Sequence, residues 1–147
     1  LRGANLAYAN FRYANASGGD FTNASLQGAY LNRCQLRGAH LLNANLQQVK
    51  AQEVSMDGVQ ADYADFSFAN LPYSWLRRAS LKNAVFHGDL TEADLRSSKL
   101  GHSSLNNSKL DKALLDKAFL EYADLRGAEM NYTQFGTAFL NNAKLDK

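Results

Sequence analysis

The chain has 147 residues, a length that suits one domain. Hydrophobic residues make up 46% of it, but they are spread evenly and no run is long enough to span a bilayer. The formal net charge is +2, from 16 basic and 14 acidic residues, with no polybasic tail or acidic block, so charge alone does not favour direct nucleic-acid binding. No charged-then-apolar leader opens the chain, and a cytoplasmic location is expected. The chain starts in register at Leu1 and ends in register at Lys147. It reads as a single domain over 1–147, taken from something longer.

Large residues recur every fifth position, and a small residue precedes each by two places. The first are Leu1, Leu6 and Phe11, with Ala4, Ala9 and Ala14 as small partners. Ala14 with Ala16 leaves an underfilled corner. The pattern then runs from Phe21 through Leu26, Leu31, Leu36, Leu41 and Leu46. In the next stretch the size order inverts: Val49 precedes Ala51 and Val59 precedes Ala61, so a larger wall offsets a smaller centre. Val54 with Met56 breaks that compensation, and a local widening is expected there. Leu71, Leu76, Leu81 and Phe86 restore the pattern.

Neither a helix at period 3.6 nor a strand at period 2 explains such spacing. Two inward residues at i−2 and i lie on one side of a short extended stretch, and a turn must redirect the chain before the next. Glycine concentrates at i+2 (Gly3, Gly18, Gly28, Gly38, Gly58 and Gly127), as does asparagine (Asn23, Asn43, Asn83, Asn107 and Asn142). A type II turn needs positive φ at that place, which these residues tolerate best. Pro72 falls at i+1, where its fixed φ fits. Tyrosine or lysine at many other i+2 positions suggests a mixture of turn types.

Ala4-Asn5-Leu6, Ala9-Asn10-Phe11, Ala44-Asn45-Leu46, Ala69-Asn70-Leu71, Ala93-Asp94-Leu95 and Ala123-Asp124-Leu125 resemble the A(D/N)Lxx motif of the pentapeptide repeat family. The resemblance covers the whole chain. It implies an all-β fold, a right-handed quadrilateral β-helix of seven to eight coils, on the order of 35 Å long at the spacing of stacked strands.

One residue is missing between Phe86 and Leu90, which makes a register slip at 86–90. Gly88 must serve there both as a turn residue and as the next small inward residue. Beyond it the pattern continues from Leu90 to Leu145. Ser98, Ser103 and Ser108 take three successive alanine positions, and their buried hydroxyls need backbone partners.

No chemistry-bearing constellation appears. Cys34 sits at an inward position and reads as a buried thiol. His40, His87 and His102 point outward without metal-ligand spacing. The outward aspartates Asp65, Asp89, Asp94 and Asp124 follow the motif. No catalytic residue, cofactor site or metal site is expected.

Function should lie where outward positions depart from small polar residues. Trp75 does so most clearly, with Tyr73 on the preceding turn and Arg77 and Arg78 on the next. Trp, Tyr and Arg are enriched at binding hot spots. The alternative is that Trp75 packs over Arg77 or a neighbouring coil as surface cover. Phe119 and Phe139, twenty apart, should stack outward on one side, with Leu114 on the side before. Tyr8, Tyr13, Tyr63, Tyr73, Tyr122 and Tyr132 read as corner padding.

These residues point to a non-catalytic scaffold with a protein partner. The bare ends of a stacked rod also invite end-to-end homodimerisation. The family resemblance implies two further possibilities. Some pentapeptide proteins protect DNA gyrase by resembling duplex DNA, which wants a negative face. The side here with Arg37, Arg77, Arg78, Arg96 and Lys117 is basic. Some bacterial effector ubiquitin ligases carry such a β-helix as a substrate-recognition domain.

Overall fold

The computed structural model describes residues 1–146; Lys147 and its expected register lie outside them. The chain winds as a solenoid in which each five-residue repeat makes one side and four repeats bring it back onto itself. Residues twenty apart pair in parallel through single bridges, as in Asn5 with Ser25 and Ser25 with Asn45. Only one pair lengthens into true strands, β1 (Asp65–Phe66) and β2 (Val85–Phe86). No helix is present among the described residues.

The bonding between coils repeats from side to side. Leu6 N–H donates to Ser25 O at 2.7 Å, and Ser25 N–H donates back to Ala4 O at 2.9 Å. Within each coil the small residue closes a turn, as when Ala4 N–H donates to Leu1 O at 3.1 Å. The outward i−1 position explains itself in the same geometry. Its Asn or Asp side chain accepts the N–H of the first turn residue, as in Asn5 Oδ1 with Ala7 N–H at 3.2 Å and Asp89 Oδ1 with Thr91 N–H at 2.9 Å. This is the Asx-turn that short polar side chains make best.

The turns are more uniform than residue preference suggests. Tyr8, Arg33, Glu53, Lys112 and His102 all hold φ between 55° and 59°, the same left-handed state as the glycines. A mixture of types appears at one corner, where Gly136 takes φ 47° at the first turn position and Thr137 does not follow. Local propensity loses because the i+2 N–H is needed by the next coil: Tyr8 N–H reaches Gln27 O at 2.9 Å.

The core is a continuous apolar column. Leu26, Leu31, Leu36, Leu41 and Leu46 are fully buried, and truncating any one to alanine would cost about 2–5 kcal/mol. No widening is seen at Val54 and Met56. Both are buried, and the bonds from Met56 N to Trp75 O and from Trp75 N to Val54 O keep 2.7 and 3.0 Å. An unbranched methionine adapts its shape to such a gap. The corner at Ala14 and Ala16 is compensated after all. Phe11 and Phe21 meet edge to face at 6.2 Å, and the Phe21 ring lies over Gly19, 2.7 Å from where a Cβ would stand. Both end coils are only partly buried, from Leu6 to Ala16 and from Ala128 to Ala143.

The slip removes one turn residue. The pairing step falls from twenty, Asp65 with Val85, to nineteen, Asn70 with Asp89, and returns to twenty at Asp89 with Lys109. Gly88 takes over the alanine role: its carbonyl accepts Lys109 N–H at 2.9 Å, and Asp89 N–H reaches Ala69 O at 2.9 Å. A side chain there would collide with the Ala69 backbone, whose nitrogen lies 2.8 Å from the Cβ position. Phe66 and Phe86 stack beside the slip at 4.8 Å.

The buried serines divide. Ser98 and Ser108 donate to Leu95 O and Leu105 O, each at 2.6 Å. Ser103 Oγ, like Ser74 Oγ, is buried without a partner, against the expectation that all three would be satisfied. Ser103→Ala should therefore leave stability unchanged or raise it, while Ser98→Ala and Ser108→Ala each lose about 1 kcal/mol, measured by denaturant unfolding. Gly88→Ala should cost about 2 kcal/mol or more, because the Ala69 backbone must move. Gly101→Ala, whose Cβ meets only Glu121 O at 3.7 Å, should stay within about 0.5 kcal/mol. Equal losses at the two glycines would refute the role assigned to Gly88.

Candidate interaction surface

Because every side projects its i−1 residue outward, the rod carries four rows of side chains. The Trp75 row runs Asn15, Gln35, Ser55, Trp75, Asp94, Leu114 and Gln134. The Ser80 row, on the next side, runs Asp20, His40, Gln60, Ser80, Lys99, Phe119 and Phe139. Between them lies the corner with Arg77 and Arg78. Five of the six residues singled out from the sequence, Trp75, Arg77, Arg78, Phe119 and Phe139, are thus arranged about one edge, and Tyr73 lies at the corner before Trp75.

Trp75 is 42% exposed, between Ser55 and Asp94. Tyr73 is exposed at the preceding corner, with φ 59°. The Arg77 guanidinium is turned away from the indole toward Asp57, at 2.5 Å, with Asp94 at 3.9 Å. Across the corner, Phe119 and Phe139 stack at 4.9 Å and 9° while both remain exposed. Leu114, on the Trp75 side, is half-buried.

The basic side expected from the sequence is neutralised in part, at Arg77 and Arg96. Arg96 clamps Asp94 with Nε at 2.8 Å and Nη2 at 2.6 Å, and Arg37 donates to Ser55 Oγ at 2.8 Å. Among the described residues Arg78, Lys99 and Lys117 form no ion pair, whereas their neighbours Arg77 and Arg96 do. The partner of Arg77 was missed because it lies a coil away, twenty residues before it at Asp57, whereas Arg96 pairs with Asp94 two residues before it on its own side.

Three other features escaped sequence reasoning. A groove of about 460 Å³ runs over the Ser80 side, lined by His40, Leu42, Gln60, Ser80, Arg78 and Lys99 among others. Its signal was the row Gly18, Gly38, Gly58, which strips one corner of side chains just before Arg78. Tyr30 projects from the Asn70 side with the Arg12 guanidinium 4.0 Å above its ring and Lys50 at 4.7 Å. Phe68, 68% exposed, meets His87 edge to face at 6.4 Å beside the slip. Of the tyrosines, Tyr8 does pad its corner, lying over Gly28, and Tyr122 stacks on His102 at 4.9 Å.

The geometry offers little for covalent or metal chemistry. Cys34 is fully buried, and burial pushes its thiol up to about 11, so the thiolate nucleophile is scarce. No three His, Cys, Asp or Glu side chains among the described residues stand close enough to hold a metal ion. No helix there is long and apolar enough to cross a membrane.

Family models for pentapeptide repeats match residues 4–41, 29–62, 39–72, 62–88, 89–121 and 108–146. The chain belongs to the pentapeptide repeat family. One match ends at 88 and the next begins at 89, at the slip. Among solved structures the chain is similar to HetL, a pentapeptide repeat protein involved in heterocyst differentiation regulation from the cyanobacterium Nostoc sp. strain PCC 7120. Identity is 24% over 95% of this chain and 75% of that one, with a TM-score of 0.52. It is also similar to a pentapeptide repeat protein from the Arabidopsis thaliana thylakoid lumen, 22% identical over 80% and 68%, with a TM-score of 0.52. Full-length QnrB1, a plasmid-mediated fluoroquinolone resistance protein, aligns at 13% identity over 99% and 90%, with a TM-score of 0.50. At these identities the likeness is one of fold. No curated protein matches by sequence.

The outward aspartates carry a pH dependence. The Arg126 guanidinium and N–H hold Asp124 down to about 2. Burial works against charge on Asp94, but Arg96 and Arg77 more than offset it and its pKa is lowered. A carboxylate depressed on folding adds stability that is complete above its unfolded value, 3.8, and is lost as pH falls through the folded value. The melting temperature should fall between about pH 5 and pH 2. The double variant D94N/D124N should show a shallower fall; an unchanged slope would mean these pairs are not the source.

Proposed function

We propose that this chain is a non-catalytic scaffold for protein–protein interaction. We take it to be a right-handed quadrilateral β-helix, a single domain over 1–147 with roughly seven to eight coils at twenty residues each. Its contact surface is the edge between the Trp75 and Ser80 sides, with Trp75, Arg77 and Arg78 on one part and Phe119 and Phe139 on the other, extended across the Trp75 side to Tyr73 at the preceding corner. The observation that carries the reading is the exposed indole with an exposed aromatic stack across one corner of a rigid rod. Large aromatic area of that kind, held without ordering cost, is what a hot spot needs. Arg77 contributes as a fixed element, since Asp57 already orients it.

A second reading, protection of DNA gyrase, is favoured by the likeness to QnrB1, a fluoroquinolone resistance protein. The charge distribution weighs against it. Mimicry of duplex DNA wants one acidic side, and here carboxylates lie beside cations along the corner, Asp57 with Arg77 and Asp94 with Arg96. A supercoiling assay with a quinolone separates the two: a scaffold of unrelated purpose leaves inhibition unchanged.

The main test is affinity capture on the rod, followed by a binding measurement with the captured protein. Trp75→Ala should weaken binding by about thirtyfold, as a hot spot losing about 2 kcal/mol would, and leave the melting temperature nearly unchanged. A large drop in melting temperature with unaltered binding would show that Trp75 is cover for the coil wall.

A further inference from the structure

We infer that the edge beside the Ser80 side binds an extended acidic segment of a partner protein, one that carries apolar residues between its carboxylates. The inference rests on the scaffold reading and names the partner's chemistry. Three cations there, Arg78, Lys99 and Lys117, form no ion pair among the described residues. Arg78 and Lys117 hold the same corner position two coils apart, with Ser97 between them, and all three share the left-handed turn state. Lys99 lies on the adjoining side, paired to Ser80 before it and to Phe119 after it. The carboxylate next to Lys117 is committed elsewhere: Asp116 accepts from Thr137 N–H at 2.9 Å and Oγ1 at 3.0 Å.

Geometry then selects the ligand. Positions two coils apart along a stacked rod are separated by roughly 10 Å. An extended polyproline-type chain has three residues per turn and a rise near 3.1 Å, so side chains three apart lie on one face, about 9 Å from each other. Two carboxylates with that spacing reach Arg78 and Lys117 together. The next row of the same chain falls over the Lys99, Phe119 and Phe139 row, where an apolar side chain covers the exposed stack. The groove upstream, which opens beside Gly58, gives the chain a path past Arg78. A nucleic acid fits less well. Its regular phosphates would meet Asp57 and Asp116 on the same corner and Asp94 on the row beside it, each carboxylate next to a cation.

Fluorescence anisotropy with a labelled peptide of repeated Glu-Pro-Phe triplets tests this. The glutamate peptide should bind about tenfold or more tightly than its glutamine counterpart, and the difference should shrink as salt rises. The double variant R78E/K99E should lose the same factor, while K50E, on the Asn70 side, should not. All three side chains are exposed, so melting curves should be unaltered. Equal binding of the two peptides, an equal loss in K50E, or tighter binding of a short DNA duplex would each overturn the inference. If it falls while capture still depends on Trp75, the scaffold reading stands without its acidic partner.

Discussion

Outside the slip at His87–Gly88 and the corner at Gly136, the sides of this solenoid end in a residue with φ near +60°, and the rod exists because that backbone state is held at corner after corner. For residues other than glycine and asparagine the state costs roughly 1 kcal/mol or more. Stacking supplies the offset. The N–H of the strained residue donates to a carbonyl of the next coil, as Lys112 does to Asn131 O at 2.8 Å. The Asn or Asp two positions before the turn's second half accepts the neighbouring N–H, so side chain and ladder agree on one turn. Once the backbone is fixed twice over, the corner side chain is unconstrained. Tyrosine, arginine, glutamate and lysine can all occupy it, and the surface chemistry varies without touching the core.

The interior obeys a different rule, conservation of volume along the axis. A smaller centre is met by a larger wall at Val49 and Ala51, and an empty corner at Ala16 is met by two phenylalanines. The slip is the limiting case. With one residue removed, the turn and the small inward position collapse onto Gly88, and only the absence of a side chain lets it approach the Ala69 backbone. Both neighbouring bridges survive, so the defect is absorbed within one side.

The period made the fold legible because core and turn repeat together, and even the position of the slip could be counted from Phe86 to Leu90. What was not legible depended on which bonds the folded chain makes, within a side or across to the next coil. The mixed turns expected at Tyr8 or Lys112 follow from their own preferences; the inter-coil bond overrides them. Ser103 differs from Ser98 only in whether its hydroxyl finds a carbonyl, which no spacing reveals. At the surface, outward placement of Trp75, Phe119 and Phe139 could be read directly from the register. The charge could not, because the sum over Arg77 and Arg96 hides the pairs with Asp57 and Asp94.

A regular rod poses a difficulty for recognition: translation by one coil reproduces the same surface, so a partner could slide. Specificity then has to come from places where the rows are not periodic. The edge between the Trp75 and Ser80 sides is one such place. Three glycines give way to Arg78, Ser97 and Lys117 along a single corner row. The outward row beside it passes from Gln60 and Ser80 to Lys99 and then two phenylalanines. The shortened coil sits between Arg78 and Lys99 in sequence, and the rows stay paired across it, Trp75 with Asp94 and Ser80 with Lys99. A ligand that engages both parts has only one register in which its charges and its apolar groups are all matched. Rigidity sharpens that choice, since the ladder leaves the edge little freedom to rearrange toward a shifted partner.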